Sequence, residues 1–144
     1  MDDRDRQHLG NLISHAQAAI GYARAHGRAW WKNPETFDAV LMRISQVGEA
    51  ASRTSPGALA DVPGVTWRDV KGIRAKVVHD YQTIDVLVVR GVVSRQLPRL
   101  VTSVRKALAE DEKRRRQSDT GPPTTPSPTT GPRRSAVARP PRAP

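Results

Sequence analysis

Trp67-Arg68-Asp69-Val70-Lys71-Gly72-Ile73-Arg74-Ala75-Lys76-Val77-Val78-His79-Asp80-Tyr81 is the stretch on which the reading of this chain turns. Thr66 precedes it, and Thr66 with Asp69 makes a Thr-x-x-acid pattern in which each end satisfies the other's free backbone donors. A helix is therefore predicted to start at Trp67. Val70, Ile73 and Val77 follow at helical spacing and give one apolar stripe, while Arg68, Lys71 and Lys76 point elsewhere. The helix ends on a guanidinium, an imidazole and a phenol, the groups that a metal-free phosphodiester cleavage needs. Imidazole moves protons near neutral pH, and guanidinium holds phosphorane charge with paired donors. Five residues turn a helix by about 500°, so Arg74 and His79 diverge by about 140°. They meet only if the helix frays before His79 or if two copies of the chain share a cleft.

Upstream, Asp2 or Asp3 can cap a first helix with Leu9, Leu12, Ile13, Ala16, Ile20 and Ala23 on one face. His8, His15 and Tyr22 recur beside that stripe, either as a half-exposed flank or as the lining of a dimer cleft. Gly27 ends the helix, and Trp30-Trp31 in the next loop either wedge it onto the core or stack bases. Asn33-Pro34 is a cap followed by a residue pre-set for the first helical turn. The second helix then buries Phe37, Val40, Leu41, Ile44, Val47 and Ala51. Gly48 inside it costs about 1 kcal/mol relative to Ala and marks a close helix contact. Thr54–Val65, with Pro56, Gly57, Pro63 and Gly64, reads as a connecting loop.

Downstream of Tyr81, Thr83-Ile84-Asp85 can begin a helix with Val86, Leu87, Val89, Val92 and Val93 inward. β-branched residues make a strand the competing local reading. Leu97, Leu100, Val101, Val104 and Leu108 keep helical spacing with no hairpin signal, which favours helix, and Pro98 is expected to kink or restart it. The fold class predicted is all-α: an up-and-down antiparallel bundle of four to five helices, over residues 1–112. Residues 113–144, rich in Pro, Thr and Arg, bury too little apolar area to offset the entropy of ordering and are expected to be disordered.

The charge is lopsided. Of a net +10, residues 113–144 carry +7, with eight Lys and Arg against the single acid Asp119, leaving +3 on the body. The basic pI thus reports a tail, either a solvated one or an electrostatic tether for RNA or an acidic partner. With no Cys there is no disulfide, thiolate metal site or Cys nucleophile, and no His-Glu-x-x-His spacing is present. No cofactor or metal is expected. Neither a signal-peptide layout at Met1–Arg6 nor a run of membrane-spanning length occurs, so a cytoplasmic, membrane-free location is expected.

Arg74, four residues, then His79-Asp80-Tyr81 resembles the Arg-x4-6-His signature of the HEPN superfamily, and within it the His-any-Tyr form of HepT-like toxins. Ile44-Ser45-Gln46-Val47-Gly48-Glu49-Ala50-Ala51 is similar to that branch's apolar-Gly-Glu-Ala segment, Trp67–Arg74 to its lead-in, and Leu97-Pro98-x-Leu100 also fits. The resemblance covers roughly residues 3–111. It implies a toxin of a toxin–antitoxin pair: a homodimer or higher oligomer acting as a metal-independent endoribonuclease on RNA. Arg74 and His79 would be the catalytic pair in a dimer cleft. Tyr81 would be adenylylated by a cognate nucleotidyltransferase antitoxin, the alternative being a packing phenol. Glu49 is then either a partner for Arg74 or a surface carboxylate, and Asp80 either orients His79 or is a solvated acid. Ala75 stands where many HEPN nucleases have a polar residue. The competing reading is a non-catalytic HEPN-type helical module that binds RNA, nucleotide or protein.

Overall fold

The computed structural model describes residues 1–121, 138 and 140–143. They are all-α: α1 (Asp3–His26), α2 (Pro34–Arg53), a short α3 (Pro56–Ala60), α4 (Trp67–His79), α5 (Val86–Gly91) and α6 (Leu97–Asp119). A single 3₁₀ turn, Trp30–Lys32, joins α1 to α2, and another, Tyr81–Thr83, follows α4. The arrangement is an up-and-down antiparallel bundle in which α1 packs against α2 and α6, and α4 leans on the far side of α2.

Local chemistry accounts for most boundaries. The Asp2 carboxylate accepts from the Asp5 amide at 2.7 Å and starts α1, and Gly27, at φ +92°, ends it. Asn33 accepts from the Thr36 amide at 2.9 Å with Pro34 in the first turn. Leu9, Leu12, Ala16 and Ala19 then meet Val40, Leu41, Ile44 and Val47 in the core, joined by Leu97, Val101 and Val104 of α6. Trp30 is buried and stacks on Phe37, with centroids 6.2 Å apart, so the paired indoles do wedge the α1–α2 loop onto the core.

Four readings need correction. Thr66 precedes α4 but makes no capping bond; the Trp67 indole instead donates to the Leu59 carbonyl at 3.0 Å and ties the helix start to α3. The Thr54–Val65 connection is not all loop, because Ser55 and Pro56 repeat the cap-then-proline signal and start α3. Leu87 faces out, 69 % exposed, with Val88 beside it, and the inward set is Val89, Val92 and Val93. Two residues rotate a helix by about 200°, so burying Val89 turns Leu87 away. Finally, α6 runs through Lys113–Arg116 to Asp119, since Ala109–Arg116 are mostly good helix formers and no Gly or Pro interrupts them before Gly121. The rest of the expected tail, residues 122–137, 139 and 144, lies outside the described residues.

Pro98 sits in the first turn of α6, and the chain widens into a π turn, Val92–Gln96, just before it. A proline inside a helix lacks its amide and crowds the carbonyl four residues back, and a π turn absorbs both effects. α5 and α6 thereby form one continuous, locally unwound rod.

Two buried carboxylates lock the bundle. Asp5 accepts from the Ser55 amide at 2.8 Å and hydroxyl at 2.7 Å, pinning α3 to α1. Asp111 accepts from Arg6 at 2.8 Å and from the terminal amine at 3.2 Å, pinning α6 to α1. The Ser55 hydrogen bonds hold the Asp5 carboxyl below its usual range. Burial pushes the Asp111 carboxyl up, but Arg6 and the terminal amine overcome it and the net direction is also down. A lowered folded-state value means stability present above the unfolded pKa, about 3.9, and lost as pH falls through the folded values. The melting temperature should therefore drop as pH is taken below about 4, and Asp5→Asn should flatten that drop. An Asp5→Asn chain with the wild-type acid profile would contradict the assignment.

Candidate functional site

α4 rests on α2 because Gly48 lets it. A Cβ at position 48 would lie 2.9 Å from the Val70 carbonyl oxygen and 3.0 Å from Ile73 Cγ2, inside contact distance. The same close approach puts Glu49, the next residue on α2, beside Arg74 on α4. The Arg74 guanidinium donates to Glu49 Oε2, while Arg53 donates to Glu49 Oε1 at 2.9 Å. Glu49 is thus the partner of Arg74. The hydrogen bond from Arg53 holds its carboxyl below the usual range; burial opposes it, and the charges of Arg74 and Arg53 add to the lowering.

His79 is the last residue of α4 and is exposed. No hydrogen bond engages its imidazole among the described residues, and none joins it to Asp80. The backbone of Asp80 closes the helix: its amide donates to the Lys76 carbonyl at 2.9 Å, and its carbonyl accepts from the Thr83 amide at 2.8 Å. The helix does not fray before His79, so Arg74 and His79 stay about 140° apart around α4 and about 7.5 Å apart along it. One chain does not bring them together.

Tyr81 opens the 3₁₀ turn after α4, and its hydroxyl donates to Asp38 Oδ1 on α2. The hydrogen bond to Asp38, then desolvation and the carboxylate's charge, push the phenol above its ordinary value. Asp38 is the residue that sequence reasoning missed: 43 positions separate it from Tyr81, and no local pattern flags it. A group raised in the folded state adds stability that is present below the unfolded pKa, about 10, and lost as pH rises through the folded value. Absorbance titration should show a phenol ionising late in the wild type and earlier in Asp38→Ala. Identical titrations in the two chains would remove Asp38 from the site.

Behind this segment lies a cavity of about 330 Å³ between α2, α4 and α5, bounded by Ile44, Ile73, Val77, Ile84 and Val88. On the outside, Met42, Val78, Leu87 and Val88 leave apolar surface open, Val78 being 63 % exposed between Arg74 and His79. The histidine flank of α1 resolves differently. His15 Nδ1 accepts from Arg43 at 3.0 Å, and Arg43 also donates to the Tyr22 hydroxyl at 3.1 Å. Burial, then the charge of Arg43, lowers the His15 pKa. His15 and Tyr22 thus form a polar seam between α1 and α2 within one chain. Among the described residues no group of three or more His, Asp or Glu is placed to hold a metal, and no helix is long and apolar enough to cross a membrane.

The family model for HepT-like ribonucleases matches residues 12–107, which takes in α2, α4, the Tyr81 turn and the first half of α6. No solved structure matches the chain. With two thirds of its length inside that match, and with Gly48, Glu49, Arg74, His79 and Tyr81 all within it, the chain belongs to the HepT-like ribonuclease family.

Proposed function

We propose that the protein is the toxin of a toxin–antitoxin pair, a metal-independent endoribonuclease whose site forms when two copies pack α4 against α4. The observation that carries this reading is the exposure of Arg74, Val78 and His79 on a helix packed from one side only. Two polar functional groups flanking an uncovered valine suit a face that a second copy would cover. Pairing would set Arg74 of each copy near the His79 of the other and so remove the 140° problem.

In the composite groove one His79 takes the proton of the ribose 2′-hydroxyl as that oxygen attacks phosphorus. A water molecule gives a proton to the departing 5′-oxygen, so each groove needs one His79 and the Arg74 of the other copy. Arg74 holds the charge that builds on the phosphorane, for which it must exchange the carboxylate of Glu49 for phosphate. The products are a 2′,3′-cyclic phosphate and a 5′-hydroxyl. Cleavage of single-stranded RNA by the full chain in EDTA, with those two ends, tests the reading. Wild-type inactivity on every RNA tried, with binding retained, would favour the second reading, a non-catalytic helical module. Ala75 and the resident Glu49–Arg74 pair are the observations on its side.

Tyr81 is the proposed point of control. A partner nucleotidyltransferase would let the phenol oxygen attack the α-phosphate of ATP, with pyrophosphate leaving and the phenol proton passing to Asp38. Phosphate attached one helix end from Arg74 would repel substrate and cover the groove by charge and bulk. Co-expression with such an enzyme should raise the intact mass by whole adenylate units. A gain that persists in Tyr81→Phe would place the modification elsewhere.

A further inference from the structure

A groove of about 740 Å³ lies away from Arg74 and His79, between the end of α1, the Trp30–Lys32 turn and the α5–π segment. Four arginines line it: Arg24 and Arg28 from the end of α1 and its loop, Arg90 from α5 and Arg95 from the π turn. No acidic residue lines it, and none of the four is in an ion pair with a carboxylate among the described residues. Outside the groove, Arg6, Arg53, Arg74, Arg114, Arg115 and Arg116 have carboxylate partners, whereas Arg4, Arg43, Arg68, Arg99 and Arg105 have none but do not gather in one concavity of the described residues. A basic residue near the C-terminus of α1 also favours the helix dipole. That accounts for Arg24, but not for a cluster drawn from three segments with its counter-charges missing.

The floor adds a second kind of chemistry. The Arg90 guanidinium lies 3.5 Å from the Trp31 ring centroid, and Trp30 meets Trp31 edge-on at 87°. Trp31 is only half-buried, unlike Trp30. A guanidinium laid on an indole is planar, cationic and open to extension of the stack by another flat ring. Gly91 leaves room for Arg95 to fold back, since a Cβ there would meet the Arg95 guanidinium nitrogen at 3.3 Å. Cations spaced along a groove together with a stacking platform match a flexible polyanion carrying unpaired bases. A duplex hides its bases, and an acidic peptide has no use for the stack.

We propose that this groove binds single-stranded RNA, with Arg24, Arg28 and Arg95 on successive phosphates and one base stacked on the Arg90–Trp31 pair. The site is independent of the chemistry assigned to His79: it would hold RNA whether or not the chain cuts it.

The test uses the full-length His79→Ala chain, which keeps any RNA intact, and a fluorescein-labelled single-stranded oligoribonucleotide. Arg24→Gln with Arg28→Gln should weaken binding at least tenfold and flatten the dependence of log affinity on log salt by about 1.4, about 0.7 for each lost phosphate contact. Arg4→Gln with Arg105→Gln removes equal charge outside the groove and should cost less than threefold. Trp31→Ala should weaken single-stranded RNA but leave inorganic polyphosphate binding unchanged, separating stacking from charge. Equal losses from the groove pair and the control pair would overturn the proposal, reducing it to net charge. So would tighter binding of duplex RNA, or selective binding of poly-glutamate, which would make the groove a docking site for an acidic protein. Absence of nuclease activity in the wild-type chain leaves all of these results readable.

Discussion

His79→Ala is expected to reduce EDTA-resistant RNA cleavage by about 10²–10⁴-fold, the usual contribution of one general acid or base. Arg74→Ala is expected to cost about 10²–10³-fold, the scale for removing one group that stabilises transition-state charge. Arg74→Lys should recover little, because a point charge does not replace a planar fork on phosphate. Neither loss should come from unfolding. Both side chains are exposed, His79 has no hydrogen bond among the described residues, and a solvent-screened pair such as Arg74–Glu49 adds little to stability. Melting temperatures should therefore stay close to wild type. A mixture of the two inactive chains gives the sharper readout. Each mixed pair keeps one intact Arg74 and one intact His79 on opposite copies, so activity should reappear on mixing. Two dead variants that stay dead when mixed, although each still dimerises, would end the shared-groove account.

Gly48→Val should be the most damaging single change to the fold around the site. The added side chain would start 2.9 Å from a backbone carbonyl of α4, which cannot rotate away as a side-chain tip can. Overpacking of this kind costs about 1–3 kcal/mol, and a β-branched residue in a helix interior adds to it. Gly48→Ala is milder, because about 1 kcal/mol of helix propensity offsets part of the clash. The penalty falls on one interface. α4 packs chiefly on α2, with the Trp67 bond to Leu59 and the following turn as lesser supports, whereas α1 packs on both α2 and α6. Hydrogen exchange should show α4 amides of Gly48→Val losing protection while those of α1 stay protected. Cleavage should fall with α4 protection. Unchanged exchange in α4 would mean that the contact at Gly48 is slack.

Local signals carried much of the fold. Asn33-Pro34, Asp2, Gly27 and the inward stripe of α2 could be read directly, because caps and periodicity act over a few residues. Gly48 was legible as a close contact because a helix rarely spends a glycine without cause. The Val-rich run after Asp85 was ambiguous by propensity and was settled by spacing through Leu108. What could not be read is non-local. Glu49 was open between two roles until α4 was laid on α2, and Asp38 was invisible until the turn after α4 brought Tyr81 over it. The arginine groove draws Arg24, Arg28, Arg90 and Arg95 from segments more than sixty positions apart. In the sequence those arginines are scattered single charges, and Trp30-Trp31 gave only half the hint. The missed α3 is a different failure, since Ser55-Pro56 carried the signal and the surrounding Pro and Gly obscured it.

A helix braced from a single side can let go while its neighbours hold. For α4 this means that heat inactivation should run ahead of loss of the bundle, with a window of temperature in which the protein is intact and silent. A protease should find the same weakness first, nicking the Gln82–Asp85 connection before it reaches α1. Whatever braces the open side of α4 would close that window, and the gap between inactivation and melting would report how well the brace fits.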